Sequence, residues 1–129
     1  MKAYTNIEQS KKLAEILPLE SADMCFVNDG TSIKIDANPY NVRKLMWKDY
    51  VHEVIPCWSL AALLDVIPQE IFDGEYVINI TEGCDNRWIL TYDHRENRHH
   101  SYYGLSSGDD NLVDACYEMI LKLYEQKLL

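Results

Sequence analysis

The sequence predicts an α+β fold: an antiparallel sheet of about five strands packed with three helices, the first, the central and the last. Three observations carry that prediction. Met24 to Asp36 alternates as a hairpin about Asp29-Gly30, a dipeptide favoured where both central turn residues need positive φ. Glu75 to Gly104 reads as three short strands broken by polar turns. Three apolar stripes at helical spacing, two of them closed by Pro18 and Pro68, supply the helices that cover the sheet.

Taken in order, Thr5 and Glu8 have the T-x-x-E spacing of a capping box, and a helix follows to about Ile16. Ile7, Leu13, Ala14 and Leu17 face inward, and Pro18 ends the helix. In the hairpin, a two-residue loop sets Phe26 opposite Ile33 and Met24 opposite Ile35, so the four share one face. Ala37 to Val54 reads either as a helix started at Asn38-Pro39 or as an extended insertion; His52 within it reads as a surface or carboxylate-paired histidine. The run Ile55 to Pro68, IPCWSLAALLDVIP, is the densest apolar stretch. Ser59 is its N-cap, the helix begins at Leu60, and Leu60, Leu63, Leu64 and Ile67 form the stripe.

After a break at Phe72-Asp73-Gly74, strands are expected over Glu75 to Thr81, Arg87 to Asp93 and Arg98 to Gly104, with a loop from Leu105 to Asp110. Trp88, Leu90, Tyr92 and Tyr103 are expected on one face. Asn111 caps the last helix, Asp114 and Lys122 suit its dipole, and Leu112, Cys116, Met119, Ile120 and Leu123 form its stripe. Cys116 lies in that stripe and reads as a core thiol.

At 129 residues, 47% hydrophobic and 26% charged, the chain is expected to fold as one globular domain, 1–129. A net charge of -9 disfavours nucleic acid and anionic lipid as partners. No apolar run reaches the roughly 20 residues of a membrane span, and no export signal opens the chain, so a cytoplasmic location is expected. Cys25, Cys57, Cys84 and Cys116 contain no C-x-x-C pair and are expected to be free thiols.

One cluster is unusual. Asp93-His94-Arg95-Glu96-Asn97-Arg98-His99-His100 holds three of the four histidines across a turn. With Glu96-Asn97 as a two-residue loop, His94 faces His99, offering two nitrogens to a transition metal. Asp93 then faces His100 as an acid–base pair. No nucleophile elbow, phosphate loop, dinucleotide turn or H-E-x-x-H accompanies them. No catalytic or cofactor-binding residue is therefore assigned, and no cofactor is expected.

YTNIEQSKKLAEILPLESADM, IPCWSLAALLDVIP and DNLVDACYEMILKLYEQKLL together resemble a group of small uncharacterised proteins of gut-bacterial genomes, often found among prophage and mobile-element genes. The last helix, with Asp114-Ala115-Cys116, is similar to the final helix of phage-type alpha-beta-alpha sandwich proteins. The resemblance implies a phage or mobile-element accessory protein. The function expected is non-enzymatic, acting through an unknown protein partner or a homodimer contact. Two alternatives stand beside it: a metal-dependent or acid–base enzyme using His94, His99 and His100, and an acidic DNA mimic.

Overall fold

The protein is described by a computed structural model over residues 2–28, 30–38, 42 and 53–129. The expected elements between Pro39 and His52, and His52 itself, lie outside the described residues. The α+β class holds, but the strands form two antiparallel sheets, of three and four strands, rather than one of about five. The chain divides into two compact units, an N-terminal one over residues 3–62 and a C-terminal one of Lys2 with residues 63–129.

The N-terminal unit opens with helix α1 (Ile7–Ile16). Its capping box lies one residue later than Thr5 and Glu8: Asn6 Oδ1 accepts from Gln9 N at 2.8 Å and Asn6 N donates to Gln9 Oε1 at 3.1 Å. Thr5 is instead completely buried. Its hydroxyl accepts from Trp58 N at 3.2 Å and lies 2.8 Å from the Ser10 hydroxyl, so the threonine joins two distant segments rather than capping a helix. Backbone bonds from Thr5 N to Trp58 O and Leu60 N to Ala3 O align residues 3–5 beside 58–60. Leu13 and Leu17 are buried, and Pro18 ends the helix into a 3₁₀ turn, Leu19–Ser21.

Strands β1 (Met24–Asn28), β2 (Ile33–Asp36) and β3 (Glu53–Cys57) form the smaller sheet in the order β2-β1-β3. Phe26 pairs with Ile35 and Asn28 with Ile33, a shift of two from the expected register. The connection is four residues, 29–32, rather than two. An even shift keeps Phe26, Ile33 and Ile35 on one face. That face is not a core cover at its edge, where Ile33 is 51% and Ile35 37% exposed; Cys25, on the opposite face, is completely buried. Ile55 and Cys57, at the start of the densest apolar run and ahead of its helix, pair with Phe26 and Met24. Trp58 is buried and donates Nε1–H to Ser21 Oγ at 2.9 Å.

Helix α2 (Leu60–Val66) starts where expected. Ser59 Oγ accepts from Ala62 N at 3.2 Å, while Ser59 N and Oγ both donate to the Asp23 carboxylate. Leu63 and Ile67 are buried, but Leu64 is exposed.

The C-terminal unit holds β4 (Glu70–Ile71), β5 (Tyr76–Glu82), β6 (Trp88–His94) and β7 (Ser101–Asp109), ordered as a meander β4-β5-β6-β7. Strand β7 runs through Leu105 to Asp109, the stretch expected to be a loop. The serine- and glycine-rich composition is tolerated because Ser107 Oγ donates to Ala115 O at 2.8 Å and Leu105 fills the core. Helix α3 (Leu112–Glu125) packs on β7 and β6. Asn111 Oδ1 caps it through Val113 N at 2.8 Å, and its whole expected stripe is buried. Asp114 in its first turn meets Lys2 at 2.7 Å. The helix closes with Leu128 N bonded to Leu123 O and Lys127 N to Tyr124 O, with Lys127 at φ 60°, a Schellman closure carrying lysine where glycine is usual. Among the described residues no helix is long and apolar enough to cross a membrane.

Candidate functional site at the imidazole end of the larger sheet

The chemistry-bearing side chains collect at one end of the C-terminal unit, where the β4–β5 and β6–β7 connections meet. Phe72, Asp73 and Gly74 take successive φ values of 53°, 56° and 87°, so three consecutive residues are left-handed. Glycine is required at the third. A Cβ there meets Arg95 Nη2 at 3.2 Å and Glu70 Oε2 at 3.5 Å. Arg95 holds the turn, donating Nε–H to Gly74 O at 2.6 Å and Nη2–H to Glu70 Oε2 at 2.6 Å, while its backbone N–H reaches Glu75 O. Both members of the ion pair are more than half exposed, so this clamp positions more than it stabilises.

The turn delivers the Phe72 ring to a cluster of five. Phe72 lies 5.0 Å from Tyr102 and 6.2 Å from Tyr76; Tyr76 lies 5.2 Å from Tyr102, 5.4 Å from His94 and 6.0 Å from His100. Tyr76 is the buried hub, edge-on to His94, and Phe72 remains 42% exposed. Beside the cluster lies a cavity of about 340 Å³ lined by Asp73, Gly74, Glu75, His94, Arg95 and Glu96.

The histidines are arranged differently from the two-residue turn. His94 N donates to His100 O at 2.8 Å, and it is the His100 ring, 6.4 Å away, that lies beside His94. His99 sits in the exposed turn, its N–H donating to Asn97 Oδ1 at 3.3 Å. Asp93 pairs with Ser101 rather than His100; it is buried and its Oδ1 accepts from Ser101 Oγ at 2.7 Å. The cause is the turn, which holds one residue more between Asp93 and its partner Ser101 than the two-residue loop allows; beyond that pair β7 runs three residues longer than β6, to the pair Thr91–Ser106. Gly104, at φ 87°, lies within that bulge. The same irregularity leaves Tyr103 98% exposed, away from Trp88, Leu90 and Tyr92.

His94 Nδ1 accepts from the backbone N–H groups of Glu96 at 3.3 Å and Asn97 at 3.2 Å, which commits that nitrogen to the turn. Its Nε2 is 3.8 Å from Glu75 Oε1. The ring found beside His94 is thus His100, and the side chain bonded to Asp93 is Ser101. Among the described residues no group of three or more His, Cys, Asp or Glu is placed to hold a metal ion.

The cysteines are free thiols. Burial pushes Cys116 up to about 12, and burial followed by the Asp36 charge pushes Cys25 up to about 11. Cys57 is also raised by burial, opposed by hydrogen bonds from Thr5 and Ser10. These three are protonated at neutral pH and unsuited to nucleophilic attack; Cys84 is exposed.

Sequence reasoning located the histidines but missed Phe72, Tyr76 and Tyr102 as their neighbours. The Phe-Asp-Gly break signalled a turn, yet nothing in the linear spacing tied it to Tyr102, which reaches it only through the β7 bulge. Set against known protein families, curated proteins and solved structures, the chain finds no match.

Proposed function

We propose that this protein is a non-enzymatic interaction protein that engages a protein partner through the aromatic end of its four-stranded sheet. The observation that carries this reading is Phe72. A bulky residue in the left-handed region costs roughly 1–2 kcal/mol, and its apolar ring is 42% exposed, so the turn sacrifices stability to present it. Tyr102 lies against it and the neighbouring Tyr103 is exposed. Aromatic side chains of this kind dominate binding energy at protein interfaces. Glu70, Asp73, Glu75 and Glu96 surround the site against Arg95, so the complementary surface has an apolar centre and a basic rim. The reading places the chain in the cytoplasm, as an accessory factor of a phage or mobile element; four free cysteines suit a reducing compartment.

The test replaces Phe72 by a photo-crosslinking amino acid, with the same replacement at exposed Ile89 as control, in lysate of the cells that encode the chain. The expected result is a discrete adduct from position 72 alone, competed away by excess wild-type chain but not by a Phe72→Ala chain. Equal labelling from both positions, or full competition by Phe72→Ala, refutes the reading.

A further inference from the structure

We propose that β2 is the contact through which two copies of this chain associate, pairing antiparallel about Ile35 so that Lys34 of each copy meets the partner's Asp36. The inference is independent of the aromatic surface, which lies in the other unit.

Strand β2 is an edge: β1 lies on one side, and among the described residues no strand pairs with the other. Such an edge leaves backbone donors and acceptors open to another strand. It also exposes two isoleucines, Ile33 and Ile35, on the face they share with Phe26. Edge strands that avoid pairing are blunted by charge, and Lys34 alone has that effect. Two residues on, Asp36 changes the outcome. Strand residues two apart share a face, so Lys34 and Asp36 project together from the face opposite the isoleucines.

A two-fold axis through Ile35 sets Ile35 against itself, Ile33 against the partner's Ala37, and Lys34 against the partner's Asp36, twice by symmetry. Apolar residues then meet on one face and opposite charges on the other. An axis through Lys34 or Asp36 instead places like charges opposite each other, and an axis between residues sets each charge against an isoleucine. The strand is self-complementary in one register. The product is a continuous six-stranded sheet from two three-stranded ones. A four-residue strand pair covers less than the roughly 1,200 Å² of a standard stable interface, so association is weak and concentration-dependent.

Sedimentation velocity of the full chain from about 1 μM to about 1 mM, at low salt, is the test. A reversible monomer–dimer equilibrium is expected. Lys34→Glu alone and Asp36→Lys alone each weaken it by about tenfold, because two attractive pairs become repulsive. An equimolar mixture of the two variants dimerises again, and so does the double variant Lys34→Glu/Asp36→Lys. Asp36 Oδ1 also accepts from Asn38 N at 2.9 Å, so circular dichroism accompanies each variant, and the Lys34→Glu and double variants decide the matter if Asp36→Lys unfolds. A chain monomeric throughout, a dimer indifferent to the charge changes, or single variants that neither mixing nor the double swap rescues overturns the proposal.

Discussion

Replacing Cys116 with alanine should make the protein less stable at pH 8 and more stable at pH 11 than the natural chain. The thiol lies in the fully buried stripe of α3, and burial moves it from an ordinary value of 9.0 to about 12. Below pH 9 the thiol is protonated in both folded and unfolded chains, and its sulfur contributes only packing, on the order of 1 kcal/mol. From pH 9 to about 12 the unfolded chain gives up the proton while the folded chain keeps it. The unfolded state then binds fewer protons, so stability falls as pH rises. Each pH unit is worth about 1.4 kcal/mol, so by pH 11, two units above 9.0, the loss is roughly 3 kcal/mol. Alanine lacks the titrating group, and the raised Cys25, Cys57 and Tyr92 are common to both chains and cancel in the difference. Guanidinium unfolding of both proteins in reductant, at one-unit steps from pH 8 to 11, measures that difference. A difference that stays constant across the range refutes the burial argument, because it would mean that solvent reaches the thiol.

Two further outcomes follow from the same kind of accounting. Thr5→Val should destabilise the N-terminal unit by about 2 kcal/mol in chemical denaturation, because the Trp58 amide and the buried Ser10 hydroxyl lose their shared oxygen; Thr5→Ser, which keeps the oxygen, should recover most of the loss. Lys127→Gly should raise the midpoint of thermal unfolding, by an amount corresponding to up to about 1 kcal/mol, since Lys127 occupies a left-handed position at φ 60° that glycine adopts without a Cβ penalty.

The helices were the most legible part of the fold. Ser59 and Asn111 as caps, Pro18 and Pro68 as stops, and the α3 stripe all depend on interactions within one or two turns, and these act wherever the helix is placed. The capping box of α1 was misread by one residue because Thr5 and Asn6 are both competent caps. What separated them was Trp58, fifty-three residues away, whose amide takes the Thr5 hydroxyl. The hairpin was legible in its parity and not in its length, since a loop of two and a loop of four preserve the same alternation.

By itself the sequence determined the α+β class, the caps at Ser59 and Asn111, the stops at Pro18 and Pro68, the pairing of adjacent strands and the apolar stripe that buries Cys116, all of which follow from local sterics and periodicity. Tertiary structure alone decided that the strands divide into two sheets, and that Ile55 to Cys57, the apolar stretch ahead of the central helix, is a strand paired with β1. It also chose the neighbours of His94. Strand register is a sum over a whole ladder: one extra residue in the β6–β7 turn set His100 beside His94 and Ser101 opposite Asp93, and three more bulge β7 beyond that pair. The same slip set Tyr102 against Phe72 and Tyr76, a juxtaposition of chain segments about thirty residues apart that no local rule encodes.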